Sequence, residues 1–320
     1  NKQIIKKIEK IDKNLEIELN EIKMTLDPLK FKIKAKTIAP KFKNKNKILE
    51  IESIDTEIPL KSLFNETILI KNLNISTKSL PIKDLIFFIR MINKNPELYF
   101  LEKITKKGFL IADIELNFDK DGNIKNDYKI TGLIRDTKIS ILNKYEISKL
   151  DLNFQYEKKL LSLQDIKFAL NNQTFYSKTL DLRNTKDGFK INGEIDNEIF
   201  ELNKKNFDLL LKPFLNGLDL NKINLSSKNK FSFELNKKFK IDNFYFLSKI
   251  NLEELIFLNN LELKNIFPEI NKQITFSNHA VELEYKKKVL TINGTGKVLL
   301  QKEKDDFIYS IKKDTKNLNF

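Results

Sequence analysis

Apolar residues recur at every second position through much of this chain, the period of a strand that buries one face and wets the other. In "KFKIKAKT" (30–37), Phe31, Ile33 and Ala35 fall on one side, while Lys30, Lys32, Lys34 and Lys36 form a comb on the other. "LIADIELNF" (110–118) brings together Leu110, Ala112, Ile114, Leu116 and Phe118. The same alternation puts Tyr128, Ile130, Gly132 and Ile134 in phase, then Leu150, Leu152, Phe154 and Tyr156. Further along it aligns Phe189, Ile191, Gly193 and Ile195, then Phe231, Phe233 and Leu235. Val281, Leu283 and Tyr285 follow, and last Leu290, Ile292, Gly294, Gly296, Val298 and Leu300.

Turn-forming stretches punctuate these runs at intervals of about 8–12 residues. They include "DKDGN" (119–123), "EKK" (157–159), "KDG" (186–188), "NKK" (236–238) and "KKK" (286–288). That rhythm predicts consecutive hairpins, a meander of antiparallel strands. Parallel strands would need long crossovers, which few segments could supply.

Two stretches leave the strand period. In "LPIKDLIFFIRMINKNPELYFLEKI" (80–104), Ile82, Leu85, Ile86, Ile89 and Ile92 share one helical face. Asn95, Pro96 and Glu97 read as the cap and first turn of a second short helix. "KKNFDLLLKPFLNG" (204–217) predicts a brief helix interrupted by Pro213. Each helical stretch precedes a new series of strands. The chain is therefore expected to be one elongated segment of a larger protein, with units at about 82–203 and 204–320 and a partial unit at 1–81.

Composition narrows the chemistry. The net charge is +14, which invites a nucleic-acid or anionic-membrane partner. The 58 basic residues are interspersed with 44 acidic ones, however, and most Phe lie in phase with Ile and Leu on the apolar side. Nucleic-acid platforms set exposed aromatics among basic residues, so no nucleic acid is expected. Without cysteine there are no disulfides or thiolate metal sites, and one histidine, His279, leaves no multi-His centre. His279, following "TFSN", reads as a surface turn residue. "DKDGN" lacks the glycine position and the closing Glu of a calcium loop, since position 130 is Ile130. "GTGK" (294–297) is followed by Val298 and alternates as a strand, which argues against a phosphate loop. No carboxylate pair or nucleophile–base pair stands out. The expectation is a protein without catalytic residues, metal or cofactor.

Roughly eighteen strands at about 4.8 Å spacing would make an open sheet about 85 Å long. Its apolar face must be buried by folding into a sandwich, closing as a barrel or curling into a trough. With only 8 Gly and 7 Pro to turn corners, the trough is favoured. The expected fold is thus mainly β: a long curled antiparallel sheet, a repeating β-groove, with a few short helices between strand sets. A trough lined with Leu, Ile and Phe is a solvent for hydrocarbon. Its candidate lipid contacts are Phe31, Ile33, Leu110, Ala112, Ile114, Leu116, Phe118, Ile130, Ile134, Leu150, Leu152, Phe154, Ile191, Phe231, Phe233, Leu235, Leu283 and Ile292. The competing expectation is a structural or adhesive β-protein whose strands pack on one another with no ligand.

The stretch "SLPIKDLIFFIRMINKNPELYFLEKITKKGFLIADIELNF" leads from a helical pair into alternating strands. "GNIKNDYKITGLIRDTKISILNKYEISKLDLNFQYEKKLLSLQDIKFALNNQTF" and "FSNHAVELEYKKKVLTINGTGKVLL" continue that style. Over most of 70–320 the chain resembles the AsmA-like superfamily, the YhdP- and TamB-type proteins of Gram-negative envelopes. The resemblance implies a repeating β-groove anchored in the inner membrane by a segment outside this one. It implies a periplasmic location, phospholipid acyl chains as cargo, outer-membrane components at the far end, and neither enzymatic activity nor cofactor. The Lys-rich surface and the absence of an anchor within the 320 residues depart from that pattern.

Overall fold

The computed structural model describes residues 15–44, 47–61, 70–92, 96–119, 125, 127–141, 145–170, 173–204, 220–237, 240–258 and 268–314. The helix expected over 204–217, apart from its first residue, lies outside them, as do the Asn95 cap and the Asp121-Gly122 turn. The chain is mainly β: its strands form open antiparallel sheet, and two short helices are found among the described residues. Its packing divides it into two compact units, Asn1–Asn172 and Gln173–Phe320.

In the first unit, β1 (Leu15–Glu18) and β2 (Glu21–Asp27) run end to end opposite β4 (Lys41–Asn44) and β3 (Lys32–Ile38). The long strand β5 (Lys47–Pro59) spans both β3 and β4. Next come β6 (Asn72–Thr77) and β7 (Leu80–Pro81), which share one partner, β8 (Thr105–Asn117). Then follow β9 (Lys129–Ile141), β10 (Tyr145–Glu157) and β11 (Leu160–Leu170). Spatial order repeats sequence order throughout, so this unit is the meander that the turn spacing predicts.

The second unit repeats the plan. It contains β12 (Gln173–Asn184), β13 (Gly188–Asn203), β14 (Leu220–Asn236) and β15 (Ile241–Leu258). It continues through β16 (Gln273–Lys286), β17 (Val289–Leu299) and β18 (Lys304–Asp314), each antiparallel to the strand before it.

Between β7 and β8 lie α1 (Ile82–Ile92) and α2 (Pro96–Ile104), with Pro96 at the first position of α2. Pro there gives up an N–H that a helix start leaves unpaired anyway. On α1 the buried face is not centred where the periodicity puts it. Phe88 and Ile86 are buried, whereas Ile89 is 40% exposed. Phe88 packs with Leu49 and Leu80 from the sheet, with Leu85, Phe87 and Phe42 around them. The larger ring at 88 takes the contact with the strands, and the helix is turned to seat it.

Alternation governs the strands. Along β8, Leu110, Ala112, Ile114 and Leu116 are buried or half-buried, while Phe109, Ile111, Asp113 and Glu115 are exposed. Phe109 and Ile111 show that the outer face is not wholly polar. The lysine comb of β3 lies on that outer face and meets acids in β5: Lys36 pairs with Asp55 at 3.5 Å, and Lys32 pairs closely with Glu57. The Lys36–Asp55 pair is exposed and Lys32–Glu57 is half-buried. An exposed pair contributes about 0–1 kcal/mol, so it sets register and limits self-repulsion more than it adds stability.

The long strands are not uniform. Register shifts interrupt β5 between Ile51 and Ser53, β8 between Thr105 and Phe109, and β10 between Ile147 and Leu152. In the second unit they include shifts between Tyr176 and Leu180, between Asn197 and Phe200, within β14 and between Ser277 and Ala280. In the first unit β10 and β11 slip again around Asp165. Left-handed residues mark several of these places: Asp136, Lys149, Asp165 and Asn278 have φ between 46° and 55°. Each bulge adds one residue, so alternation changes phase while the apolar face stays on the same side. In β9 the phase runs Ile130, Gly132, Ile134 and then Thr137, Ile139. A bulge bends its strand and increases its twist. Across β8, β9 and β10 the bulges are neighbours, because Ile139 pairs with both Thr105 and Ile147. The Asp136 N–H donates to the Asp151 carboxylate at 2.8 Å, which occupies a donor that the bulge removes from the ladder.

Candidate functional site: a one-sided apolar sheet

Register carries the apolar residues of the first unit into rows that cross the strands. Ile54 pairs with Ile75, Ile75 with Ile114, Ile114 with Ile130, and Ile130 with Tyr156. A second row joins Ala112, Gly132 and Phe154, and a third joins Leu110, Ile134 and Leu152. Ile33 opposes Ile58, and Leu116 opposes Leu73. Leu150 stands opposite Thr137 beside the bulge, and Phe118, just beyond β8, donates its N–H to Lys71 O.

The second unit holds the equivalent surface in aromatic form. Phe233 pairs with Ile191, Phe231 with Gly193 and Phe246, and Phe246 with Tyr285. The Phe231 and Phe233 rings lie 6.1 Å apart, and Phe244 and Tyr285 lie 5.5 Å apart. Leu235 opposes Phe189 and Ile241; Leu283 and Ile292 oppose each other.

Of the expected contact residues, Phe31 alone leaves this face. It occupies the β2–β3 turn with φ 48° and is 74% exposed, because the left-handed backbone breaks the phase that links it to Ile33. Strand patterning at the end of an alternating run cannot reveal such a turn.

Burial differs between the two ends of the face. Under α1, Leu49 and Leu80 are at most 7% exposed, and Ile51, further along β5, is as deeply buried. On the hairpin side of the bulges, Ile58, Leu73, Ile114, Ile130 and Leu163 remain half-exposed, although they belong to the same face. In the second unit Leu202, Leu220, Ile223 and Leu252 form a buried cluster, whereas Phe231, Phe233, Leu235 and Phe246 stay half-exposed. The face is therefore more open before the bulges than beyond them, although Ala112, Leu152 and Tyr285 are buried before them and Ile139 and Ile147 are half-buried beyond. A sandwich would bury both parts alike.

Small buried polar residues mark the line between the two parts, and periodicity does not single them out. Ser53, Thr77, Thr105 and Thr137 do so in the first unit. The Ala112 N–H donates to Thr77 Oγ1 at 2.7 Å. In the second unit Asn197, Ser227, Asn229 and Ser248 form a chain of side chains. Ser248 Oγ donates to Asn229 Oδ1 at 2.7 Å, and the Asn229 amide donates to Ser227 Oγ at 2.8 Å and to Ile195 O at 2.7 Å. Ser227 Oγ in turn donates to Asn197 Oδ1. The signal was present in the sequence as a one-residue slip in alternation with Ser, Thr or Asn beside it.

His279 corrects the surface reading. It lies within β16, not in a turn, and is 2% exposed. Its Nε2 stands 2.9 Å from Lys297 O, and its ring lies 5.2 Å from Phe276 and 6.0 Å from Tyr309. The glycines of "GTGK" are explained by these rings. A Cβ at Gly296 would lie 2.3 Å from the imidazole, and one at Gly294 would lie 2.2 Å from Tyr309. The segment is β17, as its alternation predicts.

Among the described residues, no group of three or more His, Asp or Glu side chains is placed to hold a metal ion, and no helix is long and apolar enough to cross a membrane. Comparison with protein-family models, curated proteins and solved structures finds no match to this chain.

Proposed function

We propose that the open part of the apolar face carries lipid acyl chains, so that the protein is a conduit for phospholipid. The observation that supports this reading is the contrast along one face in the first unit. Where α1 covers it Leu49 and Leu80 are buried, and on the hairpin side of the bulges most of its large side chains, Ile58, Leu73, Ile114, Ile130 and Phe154 among them, stay half-exposed. Extended apolar surface of this kind asks for an apolar occupant. Moving an acyl chain into water costs about 0.8 kcal/mol per methylene, or roughly 12 kcal/mol for sixteen carbons. A face that runs from strand to strand removes most of that cost at every step. Transport needs a smooth apolar path, and the reading assigns bond-making chemistry to no side chain.

The resemblance to the AsmA-like superfamily supplies the setting. There the conduit belongs to the periplasm of a Gram-negative envelope, is anchored in the inner membrane by a segment outside this one, and passes phospholipid towards outer-membrane components. The test is mass spectrometry of lipid extracted from the purified chain. Phospholipid at a constant ratio to protein is expected. Lipid-free protein that takes up no acyl-chain probe would overturn the proposal in favour of a ligand-free structural protein.

A further inference from the structure

At the edge of the first unit, the turn between β2 and β3 holds two large apolar side chains in water. Leu29 is 92% exposed and Phe31 is 74% exposed. The turn is firmly built: the Lys30 N–H donates to Asp27 Oδ1 at 3.1 Å, and the Phe31 N–H approaches Pro28 O at 3.4 Å. Phe31 is held at φ 48°. A bulky side chain is costly in that conformation, where Gly or Asn would be at ease. Both the exposure and the backbone strain are thus maintained at one spot.

Basic charge surrounds these residues. A cleft of about 750 Å³ opens beside Phe31 and Leu60, edged by Lys30, Lys61 and Lys71. All three lysines are exposed, and among the described residues none holds an ion pair. Among the described residues lining the cleft, the one carboxylate, Glu57, is paired with Lys32, and the nearby Asp27 carboxylate accepts the Lys30 N–H. Exposed Leu and Phe at a turn tip, ringed by unpaired ammonium groups, match an anionic bilayer surface: the rings and methyls enter the acyl boundary while the lysines meet headgroup phosphates. Nucleic acid would use the lysines but leave Leu29 without a role.

We infer that this turn is a docking tip for an anionic membrane surface. The inference does not depend on lipid in the sheet's apolar face, since a turn can dock whether or not that face is loaded. The probes are vesicles of phosphatidylcholine with and without phosphatidylglycerol, incubated with the purified chain and sedimented. Binding to the anionic vesicles is expected, and Leu29→Ser with Phe31→Ser should weaken it at least about tenfold, an effect that persists in high salt. Lys30→Glu with Lys61→Glu and Lys71→Glu should weaken it similarly at low salt. Two controls should bind as the parent does: Ile308→Ser with Ile311→Ser on β18, and Lys286→Glu with Lys287→Glu at the β16–β17 turn. Because the chain has no Trp, Phe31→Trp gives a clean reporter, and its emission should shift to the blue on anionic vesicles.

Equal losses in tip and control variants would mean diffuse charge and overturn the inference. So would an unshifted Phe31→Trp emission, which would point to a protein or nucleic-acid occupant. Lipid co-purifying with Leu29→Ser, Phe31→Ser separates the two proposals: its retention with vesicle binding lost leaves the conduit reading intact.

Discussion

Thr137 presses against Gly108 so closely that a Cβ on residue 108 would lie 2.2 Å from Thr137 Oγ1 and 2.9 Å from its Cα. The contact brings two adjacent bulges together, one in β8 and one in β9, at the line where the apolar face passes from open to closed. Gly108 also holds φ 141°, which a side chain rarely adopts. Gly108→Ala is therefore expected to destabilise the protein by about 2–4 kcal/mol. Gly193→Ala is the comparison. Its Cβ would meet the tip of the Phe231 ring at 2.9 Å, and that ring can move. A loss of about 1 kcal/mol is expected there. Urea unfolding followed by circular dichroism measures both, and equal losses would remove the special role given to the bulge contact.

The sheet was legible in the sequence because alternation is a local property. Leu110, Ala112, Ile114 and Leu116 declare their face without reference to any partner, and tight turns such as 158–159 and 287–288 declare the meander. Bulges are harder to read. Asp136 and Lys149 look like ordinary polar residues between strands of opposite phase, and only pairing shows that the face continues past them. His279 was missed for the same reason. Its neighbours "TFSN" are turn-like, but Asn278 is a left-handed residue inside β16, and the bulge carries the imidazole to the apolar side. Phe31 is the reverse case, an in-phase residue that a left-handed turn takes off the face. What periodicity could not supply is the extent of cover, because α1 closes the face through contacts far apart in the sequence.

If acyl chains lie on the open part, a charge placed there should exclude them without unfolding the sheet. Ile114 and Phe154 are half-exposed, so Ile114→Lys or Phe154→Lys can extend its ammonium group towards water. Each is expected to lower bound phospholipid several-fold while the far-UV spectrum keeps its β signature. Thr131→Lys, on the opposite face beside Asp113, is the matched control and should retain lipid. Equal lipid content in all three variants would count against the conduit.

The Lys32–Glu57 pair gives acid stability a defined sign. The hydrogen bond from Lys32 holds the Glu57 carboxyl below its usual range. A carboxylate depressed in the folded state adds stability that is fully present above its unfolded value, about 4.3, and is lost as pH falls through the folded value. Wild-type protein should exceed Glu57→Gln in stability at neutral pH, and the gap should close under progressive acidification below pH ~4. Unfolding midpoints of the two proteins across that range test this, and a constant gap down to pH ~2 would refute it.

The polar chain in the second unit should behave as a unit. Asn229 receives a hydrogen bond from Ser248 and donates to both Ser227 and Ile195 O, so its loss removes three hydrogen bonds at once, while Ser227 keeps its bond to Asn197. Ser248, at 2% exposure, has no access to water that could replace Asn229. Asn229→Ala is expected to cost about 2–3 kcal/mol and Ser248→Ala about 1 kcal/mol. Once Asn229 is gone, removing the Ser248 hydroxyl also removes an unpaired buried donor. The double variant should therefore be less destabilised than the sum of the two single changes, by about 1 kcal/mol. A double-mutant cycle in urea measures that coupling. Strict additivity would mean that the two side chains act separately, and that the line between the open and closed parts of the face is held by the backbone bulges alone.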